Sequence, residues 1–224
     1  MEFHDFISEI DFSSPDNDLE LHKLTYSQNE MLTFIHENKF SIIYKRRQEG
    51  VSTALCAYIL WMLIKNPGYK IGMFCDRGER EHFRQLININ LDKIELSFKK
   101  QDFDSNILRP SYHNVTFTKF PNGSEIFYLP KSPTSGKGRN LDFVYISEVS
   151  FRDDFMNLIQ ALSPCIWTNK DGKFIITTTD LRDLKDDFFM NGDGISEYWC
   201  NNLFASRRFV MIEKRKLNRI NFKL

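Results

Sequence analysis

Residues 54–64 read Ala-Leu-Cys-Ala-Tyr-Ile-Leu-Trp-Met-Leu-Ile, eleven apolar residues without a break, and Asn66-Pro67-Gly68 closes the run. A helix that is apolar on every side has to be enclosed, and this one is well short of the ~20 residues that span a bilayer. The segment therefore predicts a helix at the centre of a folded domain rather than a membrane anchor. The remaining chain can cover it: 42% of the residues are hydrophobic, 21 of them Phe, and 27% are charged. Disordered, collagen-like and coiled-coil classes are excluded by that balance. Thirty basic residues offset thirty acidic ones, so no global basic field draws the chain to nucleic acid.

The segments around this helix alternate in period. Residues 28–37 carry Met31, Leu32, Phe34 and Ile35 at helical spacing and run into the short apolar strand 40–44. The buried helix is expected to begin near Ser52 or Thr53, both good N-terminal residues. A second apolar strand, 69–75, and a charged amphipathic helix, about 79–94, follow. Residues 115–120, the turn Pro121-Asn122-Gly123 and residues 125–129 read as a hairpin, for which Asn-Gly is the strongest local signal. Beyond a polar loop, 132–140, lie the apolar run 143–146, a helix around 154–162 and a last apolar run, 174–176. Apolar strands alternating with helices predict a mainly parallel sheet covered on both faces.

Residues 1–22 are acidic, carry Pro15 and show no sustained period, so an extended or weakly helical arm is expected there. The acidic start lacks a basic region followed by an apolar core, which argues against a secretory signal and for an intracellular protein. Residues 206–224 form a basic end, expected to be solvated or to face a partner. Cys56, Cys75, Cys165 and Cys200 show no C-x-x-C spacing, and the five histidines show no paired ligand spacing, so neither disulfides nor a protein-only metal site is expected.

Three constellations carry chemistry. The first, Lys45-Arg46-Arg47-Gln48-Glu49-Gly50-Val51-Ser52-Thr53, lies between an apolar strand and an apolar helix. In an α/β sheet ligands bind beyond the carboxyl ends of strands, and a loop that opens a helix aims free N–H groups at an anion. The usual G-x-x-x-x-G-K-[ST] is absent: Val51 stands where the lysine would be, and Lys45 is the ammonium available to a phosphate. Read alone, the segment suits a phosphate cradle or a basic surface loop capped by Ser52. The second is Ser147-Glu148, just past the run Phe143-Val144-Tyr145-Ile146; a carboxylate there can polarise an attacking water. The third is Thr177-Thr178-Thr179, also at a strand end.

Together these features resemble the ATPase domain of the large terminase subunit of tailed bacteriophages, over about residues 26–179. Lys45, Arg47, Gln48, Gly50, Ser52 and Thr53 match the deviant phosphate loop K-x-R-Q-x-G-x-S-T of that family position by position. Gln28 has the spacing of the family's adenine-contacting glutamine, and Tyr26 beside it could stack on the base or pack against the sheet. Asn122-Gly123-Ser124, Ser132-Pro133 and Lys137-Gly138 look like the segment ahead of its acidic motif. Residues 175–179 are similar to its coupling motif, with Thr177, Thr178 and Thr179 at the end.

The resemblance implies a P-loop NTPase of the ASCE type: a mainly parallel central sheet, helices on both faces and an inserted β-hairpin. It implies a domain over residues 23–205 that binds ATP and Mg2+ through residues 45–53. Lys45 would serve the β- and γ-phosphates, Arg47 the transition-state charge, Gln48, Glu49, Gly50 and Val51 the rest of the loop, and Ser52 the metal. Glu148 would be the general base, and Lys137 and Arg139 would reach phosphate or a neighbouring subunit's nucleotide or remain surface charges. The implied function is hydrolysis of ATP to drive double-stranded DNA into a procapsid in the cytoplasm of an infected bacterium. The implied partners are DNA contacted through its backbone, a homo-oligomeric ring, five-membered by analogy, on a portal, and a small terminase subunit, with no membrane.

Two departures bear on that reading. The family's acidic pair is Asp-Glu, and here it is Ser147-Glu148; the neutral hydroxyl lowers the expected metal affinity and leaves open a hydrolysis-deficient nucleotide-binding or regulatory module. The residues after Thr179 are too few for the family's nuclease domain, so no DNA cutting is expected. An adaptor that keeps the sheet as a scaffold and binds no nucleotide is the third class.

Overall fold

The computed structural model describes residues 3, 5–6, 12–14, 17–45, 49–98, 109–149, 155–167, 169, 171–179, 195–200 and 207–212. In chain order the elements are β1 (Phe12–Ser14), β2 (Asn17–His22), α1 (Tyr26–Glu37), β3 (Phe40–Tyr44), α2 (Val51–Lys65), β4 (Lys70–Phe74) and α3 (Arg77–Phe98). They continue with β5 (Tyr112–His113), β6 (Phe117–Lys119), β7 (Glu125–Leu129), β8 (Phe143–Ile146), α4 (Phe155–Leu162), α5 (Pro164–Trp167), β9 (Lys173–Thr178), β10 (Ile195–Cys200) and β11 (Arg207–Ile212). The chain divides into two compact units, Met1–Leu32 with Gly50–Pro130, and Thr33–Glu49 with Lys131–Leu224.

The first unit is organised around α2. Every residue from Ala54 to Leu63 is buried, as an all-apolar helix requires. Part of the cover is Phe3, whose ring meets Tyr58 edge-on at 5.3 Å and Trp61 at 5.1 Å. On the other side of the burial, Asn90 of α3 directs its amide to the Cys56 sulfur at 3.9 Å. Burial pushes that thiol up to about 12, so Cys56 is a packing residue and not a nucleophile. The N-terminal stretch expected to be extended or weakly helical contains an antiparallel hairpin, β1 with β2, with Phe12 opposite His22. The alternating Leu19, Leu21 pattern of β2 is too short to stand out against the acidic residues around it.

The expected hairpin forms, and it does more than reverse the chain. β6 pairs antiparallel with β7, and β7 pairs in parallel with β4, from Lys70 opposite Glu125 to Phe74 opposite Leu129. Its turn closes the end of α2. The helix stops at Asn66, which adopts an extended conformation before Pro67, leaving its last carbonyls without helical partners. Asn122 donates its side-chain amide to the Leu63 carbonyl at 2.7 Å, and the Asn122 carbonyl accepts from Gly68 N–H at 3.1 Å. The Ser124 hydroxyl donates to the Asn66 carbonyl at 3.2 Å and accepts from Tyr69 N–H at 3.1 Å. Gly123 turns the corner at φ +85°, a left-handed conformation that suits glycine.

In the second unit β9 lies between β3 and β8 and is parallel to both. All four residues of β8 are buried, as are Phe174 to Thr178 of β9; strands buried on both faces read as unbroken apolar runs, which is why they stood out in the sequence. Leu158, Ile159 and Leu162 of α4 and Ile166 of α5 are buried too. β11 adds antiparallel to β3, with Phe209 opposite Ile43, and β10 adds to β11. The basic end read as a tail therefore opens with a strand: Phe209-Val210-Met211-Ile212 is β-prone, and its apolar run was overshadowed by the charges on either side.

Replacing Ser124 with Ala removes two hydrogen bonds at the α2–β4 junction, one buried and one partly buried, and leaves the Asn66 carbonyl with Tyr69 N–H as its donor. We expect a loss of about 1–3 kcal/mol, read as a lower urea midpoint with an unchanged m-value.

Candidate functional site

Strand register assembles the polar cluster of the second unit. Tyr44 is opposite Thr178, and Ile146 is opposite Ile176, so β3, β9 and β8 end together at one carboxyl edge. The residues that follow each strand must meet there. Lys45, the first residue past β3, donates its backbone N–H to the Thr178 carbonyl at 2.9 Å. Glu148, two residues past β8, donates its N–H to the Thr177 hydroxyl at 3.2 Å, and Val149 N–H donates to the Thr177 carbonyl at 2.9 Å. Thr178 donates its hydroxyl to the Val149 carbonyl at 2.8 Å. Held in this way on either side of β9, the Lys45 ammonium and the Glu148 carboxylate form an ion pair. Lys45 is nearly buried and Glu148 about one-third exposed, so the pair is partly shielded from water without being enclosed.

The threonines therefore have separate tasks. Thr177 is fully buried and its hydroxyl is also shared with the Tyr145 hydroxyl at 3.0 Å. Tyr145 and Thr177 lie on one face because Tyr145 is opposite Ile175 and side chains recur every second residue. Thr179 follows the strand and is half-buried. Ser147 is 1% exposed, and its hydroxyl has no hydrogen-bond partner among the described residues.

Two features of this cluster have no warning in the sequence pattern. Glu148 has φ +43°, the one positive φ at a non-glycine residue among the described residues. The ammonium of Lys131, just after β7, donates to the carbonyls of Ser147 at 3.0 Å and Glu148 at 3.3 Å. Lys131 lies outside every motif recognised in the sequence. Tyr145 did carry a signal, because a tyrosine in a fully buried strand needs a partner for its hydroxyl. Lys137 and Arg139 are exposed on the loop that follows Lys131.

In the first unit, Gly50 is the N-cap of α2 at φ +67°, without a side-chain cap. The helix starts one residue earlier than the hydroxyl residues suggested: Val51 is its first residue and is buried, while Ser52 and Thr53 are half-exposed in the first turn. Gln28, in the first turn of α1, accepts from Thr25 N–H at 2.8 Å and donates to the Gly50 carbonyl at 3.1 Å. One side chain thus caps α1 and tethers the residue that opens α2. Tyr26 is 70% exposed. Glu49 is half-exposed in the second unit, and Arg46, Arg47 and Gln48 lie outside the described residues.

A lysine just past one parallel strand and a carboxylate just past another, with a third parallel strand between them, is an arrangement of the P-loop class of α/β proteins. The sequence profile of the N-terminal region of the T4-like-virus type of terminase large subunit matches residues 42–209. The chain belongs to that family. Its fold is similar to the large terminase of bacteriophage HK97, with a TM-score of 0.58 at 14% identity over 80% of this chain. It also matches the large terminase ATPase domain of Thermus phage P74-26, at 21% identity and a TM-score of 0.48, over 71% of this chain and 66% of that one. The chain spans 38% of the length of the HK97 protein.

A methyl group on Gly50 would sit 2.3 Å from the Gln28 amide nitrogen, and its φ would stay left-handed. Gly50→Ala should therefore lose about 1–2 kcal/mol from the backbone and about 1 kcal/mol more from the displaced Gln28 bond. In a Gln28→Ala background only the backbone part should remain, so denaturation of the four proteins of this cycle should give a coupling near 1 kcal/mol.

Proposed function

We propose that the chain is a magnesium-dependent ATPase domain of a viral DNA-packaging motor. The single observation that carries this reading is the Lys45–Glu148 pair at the carboxyl edge of β3, β9 and β8. A cation suited to phosphate and a carboxylate suited to water are there held in contact by the buried Thr177 and Thr178.

In this reading Lys45 gives up Glu148 when it engages the β- and γ-phosphates, which present more negative charge than one carboxylate. The freed Glu148 accepts a proton from the water that attacks the γ-phosphorus in line, while Arg47 carries charge on the transferring group. Gln48, Glu49, Gly50 and Val51 complete the loop. Gln28 meets the adenine by giving up one of its present bonds. Thr177 and Thr178 lie between the Lys45 and Glu148 backbones, which supports the assignment of Thr177, Thr178 and Thr179 to the coupling of hydrolysis to movement.

Magnesium, when bound, neutralises the phosphate oxygens. The oxygens available to it fit that role with the nucleotide and not alone: Ser52 has a half-exposed hydroxyl, and the Ser147 hydroxyl is buried without a partner among the described residues. Neither carries charge, so the phosphates would supply most of the attraction. The same feature favours the second reading, a nucleotide-binding module that hydrolyses ATP weakly or not at all. Ser147→Asp then raises turnover.

The wider role we propose by analogy with the family is movement of double-stranded DNA through non-specific backbone contacts, in a ring of five copies on a portal, with a small terminase subunit, in the cytoplasm of an infected bacterium. No helix among the described residues is long and apolar enough to cross a membrane.

ATP hydrolysis with magnesium, with and without duplex DNA, tests the proposal. Lys45→Ala and Glu148→Gln should each lower kcat by roughly 100-fold or more, and Glu148→Gln should still bind ATP. Binding at ~100 times Kd adds about 2.7 kcal/mol of stability, so ATP should raise the melting temperature of Glu148→Gln. A nucleotide-dependent rise without turnover in the unmutated chain selects the second reading, and no rise at all selects the scaffold.

A further inference from the structure

The two carbonyls that receive the Lys131 ammonium belong to consecutive residues, Ser147 and Glu148. Consecutive carbonyls in an extended strand point in opposite directions, so a single donor cannot reach both. At Glu148 the chain instead turns left-handed, φ +43°, and the two carbonyls converge on one cation. That conformation is disfavoured for a side chain with a Cβ. Hydrogen bonds from a charged donor are stronger than neutral ones, and two of them act together to hold it. The Thr177 hydroxyl, receiving Glu148 N–H, fixes the other edge of the same peptide. Thr177 also receives Val149 N–H on its carbonyl, so β9 holds the two peptides around Glu148 by their N–H edges while Lys131 holds both by their carbonyls.

We infer that Lys131 is a positioning residue: it clamps the Ser147 and Glu148 carbonyls, holds Glu148 left-handed and so aims the Glu148 carboxylate at Lys45. The inference rests on the reading of Glu148 as the base only for its kinetic consequence; the clamp itself concerns the nucleotide-free chain. Through these bonds Lys131 engages the backbone of Ser147 and Glu148 and not the Glu148 side chain. Its effect passes through the backbone.

The test uses the whole chain with Lys131→Met, which keeps the stem and deletes the donor, and Lys131→Arg, which restores a charged donor. Glu148 is labelled with 15N and 13C, and the backbone scalar couplings that separate positive from negative φ are measured without nucleotide. Positive φ is expected in the unmutated chain and Lys131→Arg, and negative φ in Lys131→Met. Retention of positive φ in Lys131→Met overturns the clamp. Should Lys131→Met not fold, Lys131→Leu, which also lacks a donor, takes its place with the same two outcomes.

Where the unmutated chain hydrolyses ATP, Lys131→Met should lower kcat roughly 10- to 100-fold, as for a misplaced reacting group, and leave KM within about twofold. In a Glu148→Gln background it should cause little further loss, because residues acting as one unit are not additive. A full additional loss there would show that Lys131 acts on something other than Glu148. Since the couplings are read without nucleotide, a chain with the clamp and no turnover rejects the ATPase reading and keeps this one.

Discussion

The cluster depends on one strand. β9 is parallel to β3 and β8, and its last two residues bond the Lys45 backbone on one side and the Glu148 and Val149 backbones on the other. Parallel strands that end level force the residues following them into one neighbourhood, whatever their separation in sequence. Lys45 and Glu148 are about a hundred residues apart, and they meet because Tyr44 is in register with Thr178 and Ile146 with Ile176. A one-residue slip of β9 would turn Thr177 to the opposite face and take its hydroxyl from Glu148 and Tyr145 together.

Much of this was legible in sequence because burial leaves a strong mark. β3, β8, β9 and α2 were plain as unbroken apolar runs, and Asn122-Gly123 announced the hairpin. The weaker elements carried mixed signals. β11 hides its apolar run in a basic end, and β1 and β2 are short and sit among acidic residues. The start of α2 was drawn to Ser52 and Thr53 by their capping chemistry, yet the cap is Gly50, whose left-handed φ opens the helix without any side-chain bond. Local propensity there gave way to the tether from Gln28, which lies twenty-two residues earlier and holds the Gly50 carbonyl.

The candidate residues divided along the same line. Lys45 and Glu148 could be named from motif and strand position, because chemistry constrains what may stand there. Lys131 could not: its partners are backbone carbonyls, which every residue has, so nothing in the residue types near Ser147 asks for a lysine after β7. The same holds for the conformation of Glu148. A positive φ is easy to anticipate at glycine and invisible at glutamate until the fold imposes it.

Ser147 and Glu148 then read as opposite solutions at adjacent positions. Glu148 is strained in its backbone and engaged at its N–H, its carbonyl and its carboxylate. Ser147 is engaged at its carbonyl, and its hydroxyl is buried with no partner among the described residues. A carboxylate in place of that hydroxyl would bring a second negative charge into the cluster beside Glu148, with Lys45 already paired. Burying it uncompensated would cost several kcal/mol, unless the Lys131 ammonium or a bound cation met it. With Ser147 neutral, the nucleotide-free cluster holds Lys45 paired with Glu148 and the Lys131 ammonium on two carbonyls. In the ATPase reading we propose, the pull on a metal is weaker for it, and the phosphates that bring the metal supply what Ser147 does not.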